Sequence, residues 1–305
     1  MRSNNSHKPE DGLVSVIIPH YEAEEYLSEA IESALNQEYR PIEIVIVDSS
    51  DSAVAQSLAA QHEEIIYESQ EPDGVAAARN RAIELSSGEY IALLDADDYW
   101  LPGKLGTTVR TLSGADVVYS DMYVLEDGEK EYYETKQYDD HIEYFAAGGS
   151  GIPSRTVVAS RYVFDDWMFN EELYSREDPN LWTKLLSRYE FEYIPEPTGV
   201  KRIREGSLTD GNQARHQQSE LDSIDDLVAT FPELQPYAKF RRSPLLERLA
   251  VAQFNAGNYR QSLESVFACL KSGRFTPRVI AVFTCLFLPR GTSIYNRFSK
   301  LYRKL

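Results

Sequence analysis

Three carboxylates within four residues, Asp95-Ala96-Asp97-Asp98, stand directly behind an apolar run, Tyr90 to Leu94. Such a group is costly to ionise fully without a cation, and its oxygens suit Mg2+ or Mn2+, which bridge phosphates. The chemistry this points to is metal-assisted departure of a diphosphate; the plainer alternative is a solvated acidic turn. Asp48 stands in the same way behind Ile42 to Val47, as a ligand-binding acid or as a helix cap. Arg79 and Arg81 lie on the stretch before the acidic run, and their guanidinium forks suit phosphate or a nucleobase. Two residues apart on a helix they face different ways, so at most one reaches a ligand and the other pairs with carboxylates. Glu177-Asp178 opens an amphipathic stretch, where capping and the helix dipole alone favour acids and where one acid could serve as a general base. His20 stands without partners in the sequence and is given no catalytic role.

These residues need elements to position them. Leu13 to Ile18, Ile42 to Val47, Ile65 to Glu68 and Tyr90 to Leu94 read as strands, and the helices expected between them are Glu22 to Gln37, Ser52 to Gln61 and Gly74 to Ser86. Near-continuous apolar strands alternating with helices predict an α/β fold with a parallel sheet covered on both faces. Ligands in such sheets bind beyond the carboxyl ends of the strands, where the acids lie. Further strands are expected at Asp116 to Ser120, Met122 to Glu126, Glu131 to Tyr133, Tyr193-Ile194 and Val200 to Ile203, with a helix at Asp178 to Arg188. From Asn212 onward the pattern is helical, punctuated at Pro232, Pro236, Pro244, Gly257, Pro277 and Pro289, with a helical hairpin turning at Gly257-Asn258-Tyr259. The expected organisation is a flexible stretch at 1–12, a catalytic domain at 13–207 and a helical region at 212–305.

The net charge of −18 and pI near 4.7 argue against nucleic-acid binding. Excess carboxylate with Arg outnumbering Lys about two to one fits a protein working at high salt. After Glu264 there is no Asp or Glu, and Lys271, Arg274, Arg278, Arg290, Arg297, Lys300, Arg303 and Lys304 give that tail a charge of about +8. Thr276 to Leu305 is expected to form membrane-surface helices, since the apolar run Val279 to Leu288 is too short to span a bilayer. The polar start of the chain has no signal-peptide pattern. Two cysteines, Cys269 and Cys285, fit a reduced cytosol better than a disulfide framework. The turn Pro19-His20-Tyr21 after the first strand carries no GxGxxG, which counts against a dehydrogenase. A sugar nucleotidyltransferase would want a Gly-rich basic loop there.

Val14-Ser15-Val16-Ile17-Ile18-Pro19-His20-Tyr21, Ala76-Ala77-Ala78-Arg79-Asn80, Gly88 through Asp98-Tyr99-Trp100 and Arg176-Glu177-Asp178 before Leu181-Trp182 together resemble family 2 glycosyltransferases. The resemblance covers about residues 13 to 207. It implies a GT-A fold, a doubly wound mixed α/β sheet, here with a C-terminal α-helical extension. It further implies that Pro19, Tyr21 and Asp48 line the nucleotide base pocket with Arg79 nearby. Asp95 would contact the ribose, Asp97 would bind Mg2+ or Mn2+, and Asp178 would be the general base. Ser49, where the family often has a second Asp, departs from the pattern. The implied activity is inverting transfer from a nucleotide-sugar donor, a UDP-sugar first. With the basic tail and acidic body, the chain resembles haloarchaeal N-glycosylation enzymes, which would place it on the cytoplasmic face of the cell membrane. Its acceptor would then be a lipid-linked saccharide on dolichyl or polyprenyl phosphate. A catalytically degenerate, membrane-docked homologue is the alternative.

Overall fold

The computed structural model describes residues 9–50, 52–204 and 212–287. They fall into two compact units, one formed by residues 1–172 and 177–205, the other by 173–176 and 206–305.

The first unit contains β1 (Glu10–His20), α1 (Glu24–Leu35), β2 (Ile42–Asp48), α2 (Val54–Ala59), β3 (Ile65–Ser69), α3 (Val75–Leu85) and β4 (Gly88–Leu93). It continues with β5 (Tyr99–Trp100), α4 (Lys104–Leu112), β6 (Val117–Glu126), β7 (Glu129–Tyr133), α5 (His141–Ala146), β8 (Val158–Ser160), α6 (Val163–Asp166), α7 (Glu177–Leu186) and β9 (Phe191–Arg202). Among the described residues the strands form one nine-stranded sheet in the order β3-β2-β1-β4-β8-β6-β9-β5, with β7 paired to β6. The first four strands are parallel, as the alternating pattern predicts. β8 then runs against both β4 and β6, so the sheet is mixed rather than wholly parallel.

Both faces of the parallel strands are apolar, and side chains alternate between them. Ile17, Val45, Val47, Ile91 and Leu93 join one buried cluster. Val16, Ile18, Ile44, Ile46 and Ala92 join the other. Each such buried Val, Ile or Leu contributes about 1.5–3 kcal/mol relative to exposure, and this fixes where the strands end. The start of β4 is held closely: Gly88 N donates to Ser15 Oγ at 2.8 Å, and Ser15 Oγ donates to Glu43 Oε1 at 2.6 Å. A Cβ at Gly88 would lie 2.5 Å from Ser15 Oγ and 2.6 Å from Leu13 O.

Several boundaries differ from the sequence expectation. β1 begins at Glu10, so 10–12 belong to the sheet rather than to a flexible end; the rest of that stretch, up to residue 8, lies outside the described residues. The strands expected on either side of Asp121 are one strand, β6, and those on either side of Pro195 to Gly199 are also one, β9. The β6–β9 register shifts at Ser120 to Met122, which lets both run on.

The second unit contains α8 (Gln213–Thr230), α9 (Gln235–Asn255), α10 (Tyr259–Lys271) and α11 (Pro277–Leu286). The turn between α9 and α10 falls at Gly257, in the left-handed region at φ 80°, and α9 continues through Pro244, which does not break it. α11 buries Val279, Val282 and Cys285 in a cluster with Ala250, Phe254, Val266 and Cys269. The apolar run is therefore a packing stripe on one side; Ile280 and Phe287 remain exposed on the other. Both cysteines are buried and free. Among the described residues no helix is long and apolar enough to cross a membrane. The last eighteen residues, with five of the tail's cations, lie outside the described residues.

Candidate active site

After β4 the backbone turns sharply. Leu94 N still donates to Ile17 O of β1 at 3.0 Å, and Asp98 N closes a turn onto Asp95 O at 3.1 Å. The three carboxylates leave this turn in different directions and each meets an arginine. Asp95 accepts from Arg79 Nη2 at 2.7 Å and Arg155 Nη2 at 3.2 Å. Asp97 accepts from Arg204 Nε at 2.8 Å. Asp98 is buried, accepts from Arg155 Nε, and takes the backbone N–H of Arg202 at 2.8 Å. Burial alone would raise the Asp95 pKa, but Arg79 and Arg155 outweigh it and hold the carboxyl below its usual range. Burial wins at Asp98, against Arg155, and pushes it up to about 6.

Arg79 is nearly enclosed on α3. Its fork spans Asp95 on one arm and, on the other, Glu177 Oε1 at 3.0 Å and Asp178 Oδ1 at 2.6 Å. Burial opposes its charge; Asp178, Asp95 and Glu177 more than offset that. Glu177, buried at the start of α7, is pushed up to about 7 by burial and then by Asp178, against Arg79. Asp178 is a quarter exposed and opens to solvent from the first turn of that helix. One guanidinium thus ties the expected base to the expected ribose contact. Arg79, expected near the base pocket, is held by these three carboxylates. Arg81 pairs with Glu68 at 2.6 Å and Glu84 at 3.4 Å, so both arginines of the helix are taken by carboxylates.

Asp48, expected in the base pocket, is met by other groups. Its pairing partner in the sheet is His20. It is closed to solvent, and Oδ1 meets His20 Nδ1 at 2.8 Å, Ser50 N at 2.9 Å and Ser50 Oγ at 2.7 Å. Tyr67 donates to Oδ2 at 3.1 Å. Burial would raise this carboxyl, yet the bonds from His20 and Ser50 keep it low. His20 is therefore not a residue without partners. The adjoining pocket, about 310 Å³, is lined by Tyr21, Glu22, Glu24, Ser49, Ser50, Ser52 and Pro72. Tyr21 is half exposed there and Pro19 is half-buried at the end of β1, while Asp48, next to Ser49, is closed to solvent.

Four cations of this site escaped the sequence reading. Arg155 sits in a turn before β8 whose backbone is fixed by Trp100 Nε1 to Arg155 O at 2.9 Å and by Lys104 Nζ to Thr156 O at 2.7 Å. Burial alone pushes the Lys104 amine down to about 7. Lys201, Arg202 and Arg204 come from the end of β9, and Arg202 and Arg204 stack on the Tyr26 ring at 4.8 and 5.8 Å. Three cations on one strand end in an acidic chain was the available signal for the last group; nothing in the sequence marked Arg155.

Among the described residues no three His, Cys, Asp or Glu side chains converge as a metal cage. A divalent cation that keeps phosphate ligands needs only one or two carboxylates, so the donor set fits through Asp97, which is partly exposed and has one oxygen engaged by Arg204.

Residues 15–176 match the family described as Glycosyl transferase family 2. The chain belongs to that family. The chain has the GT-A fold. It is 31% identical over 184 residues to the Escherichia coli UDP-Glc:alpha-D-GlcNAc-diphosphoundecaprenol beta-1,3-glucosyltransferase WfaP, covering 58% of this chain and 71% of that one. Its fold matches Staphylococcus aureus TarS 1-349 in complex with UDP-GlcNAc, with a TM-score of 0.65, 18% identity, and coverage of 88% and 83% of the two chains. It also matches the Pyrobaculum calidifontis mannosyltransferase PcManGT in complex with GDP-Man and Mn2+, with a TM-score of 0.57, 17% identity, and coverage of 94% and 83%. The chain spans 35% and 40% of the length of two Rickettsia glycosyltransferases to which it is 29% identical.

Proposed function

We propose that this glycosyltransferase moves a sugar with inversion from a nucleotide sugar, UDP-linked by preference, to a lipid-linked saccharide. The observation that carries this reading is the single Arg79 fork joining Asp95 to Asp178, which sets a donor-side acid and a solvent-open acid around one space. Asp178 accepts the proton of the acceptor hydroxyl as its oxygen bonds to the anomeric carbon; the bond to the donor diphosphate breaks with its electrons on the departing phosphate oxygen. Arg79 holds the Asp178 carboxylate in place at 2.6 Å. A divalent cation on Asp97, when bound, supplies charge to the leaving diphosphate. Arg204 and Lys201 stand beside Asp97 as further cations for the same charge. Tyr21, Ser49 and Ser50 offer the base a stacking ring and hydroxyls, with Pro19 at their rim.

The lipid-linked acceptor is supported by the WfaP relative, and a peripheral place on the cytoplasmic membrane face by the basic tail and the exposed Phe275, Ile280 and Phe287. Assembly of archaeal surface-layer N-glycans is the finer reading, supported by the acidic composition and scarce lysine. The test incubates full-length protein with radiolabelled UDP-sugars and GlcNAc-diphosphoundecaprenol or dolichyl-phosphate saccharides, with Mn2+ or EDTA. Transfer that EDTA abolishes is expected. Asp97→Ala should abolish transfer and metal-dependent nucleotide binding while melting normally; near-normal turnover would sink the metal assignment.

A further inference from the structure

The β6–β7 hairpin extends the sheet beyond the end where the acids lie. Its two faces can be assigned from the register, because cross-strand partners place their side chains on the same face. Met122 pairs with Tyr133 on one side and Gly199 on the other; Val124 pairs with Lys201. Met122, Val124, Tyr133 and Lys201 therefore share one face. That face adjoins the active site: Arg155 Nη1 lies 3.7 Å from Met122 Sδ, and the same guanidinium holds Asp95 and Asp98 and feels the charge of Asp178. The charges of Asp98, Asp95 and Asp97 also act on the Lys201 ammonium.

The two tyrosines at the end of β7 have different fates. Tyr132, on the far face, donates its hydroxyl to buried Asp121 and sets its ring edge-on to Tyr123 at 6.0 Å. The fold uses it. Tyr133, on the site face, is 42% exposed, and no side-chain hydrogen bond or ring contact holds it among the described residues. Glu131 stands two residues along the same face, also exposed. A half-open aromatic ring next to a carboxylate, continuous with a site that must admit a saccharide, matches the surface of a pyranose. One side of such a ring is apolar C–H, and its rim carries hydroxyl donors.

We propose that Tyr133 and Glu131 form an acceptor subsite, with the Tyr133 ring stacking on a sugar of the acceptor glycan and Glu131 taking its hydroxyls. This rests on the saccharide-acceptor reading and names where the acceptor lies. Nucleotide contacts belong to the ends of β1, β2 and β4 and are untouched by it. The subsite sets which acceptor is used and leaves donor binding and the chemical step alone.

The experiment compares wild type, Tyr133→Ala and Tyr133→Phe in two measurements. The first is saturation-transfer NMR with a panel of soluble disaccharides in the presence of UDP and Mn2+. Signals are expected with wild type and Tyr133→Phe and should fall at least fivefold in Tyr133→Ala, with UDP affinity unchanged. The second is transfer to GlcNAc-diphosphoundecaprenol, where Tyr133→Ala should raise the acceptor KM about tenfold and leave kcat within a factor of three. Tyr133 is exposed, so the substitution should not disturb folding. Equal disaccharide signals in wild type and Tyr133→Ala, or none with wild type, overturn the subsite. Wild-type protein that binds disaccharides through Tyr133 yet transfers nothing to any lipid-linked acceptor would instead sink the lipid-linked reading and leave the subsite standing.

Discussion

Asp48 at the end of β2 and Asp95 to Asp98 after β4 flank the same central strand, yet their charges are met by opposite means. Asp48 is enclosed by a histidine, a serine, a backbone amide and a tyrosine, all drawn from its own and neighbouring strand ends. The acids after β4 are met by guanidiniums that reach in from α3, from the turn before β8 and from the end of β9. Short-range donors lock an acid into the fold. Long arginines keep Asp95 charged and within reach of a phosphate or a cation, although at Asp98 burial prevails. The first arrangement builds; the second stands ready to bind.

Substitutions can break or sharpen that contrast. Asp178→Asn keeps the shape of the arginine-held centre but cannot take a proton. Turnover should fall by about 10²–10⁴-fold with donor affinity kept; a matching loss of donor binding by calorimetry would make Asp178 structural. Arg79→Met strands three acids without their shared cation and should cost about 3–5 kcal/mol in denaturant unfolding, the range for breaking a buried pair. A loss near that of a surface pair would mean the acids relax into water. Asp48→Asn, at the locked centre, should cost a smaller amount, about 1.5–3 kcal/mol, as bonds to a charged group become neutral. If it alters nucleotide binding more than stability, Asp48 is a ligand contact after all.

The smallest effect lies in pH. Glu177 has its folded pKa raised to about 7, so its contribution to stability is full below the unfolded value of about 4.3 and is lost as pH rises through 7. Asp48, held low, behaves oppositely: its contribution is present above its unfolded pKa and is lost on acidification. Melting curves of Glu177→Gln from pH 5 to 8 should therefore gain on wild type as pH rises, levelling off above 7. A constant offset across that range would remove the buried-acid account of Glu177.

Strands β1 to β4 were legible in the sequence because each is apolar on both faces and long enough to show it. β8, at three residues, carries no period to detect. β6 and β9 looked broken because polar Asp121 and two prolines interrupt them, and only the register shift explains how pairing continues. The acids of the site were legible for the same reason as their strands: they come directly after an apolar run or at a helix start. Their counter-charges were not. Arg155 is 57 residues from Asp98 and Arg204 is 107 from Asp97, separations at which spacing says nothing about contact. Arg79 was singled out, but its three partners were not, since they come from two other segments. Asp48 looked like its counterpart after β4 because both end a strand; the groups that enclose it come from β1, from Ser50 and from β3, a convergence that spacing does not show.

The close approach at Gly88 has a consequence for how this sequence can drift. Any side chain there would strike Ser15 Oγ and the Leu13 carbonyl, and Ser15 in turn is bonded to Glu43, which also takes the Ser87 and Gly88 amides. Positions 15, 43 and 88 lie on three different strands but share one set of atoms. A scan of single substitutions should find all three nearly immutable, while the exposed helix positions around them accept most residues. A change at one of the three could persist only alongside changes at the others, so the trio constitutes one inherited character spread over 74 residues of chain.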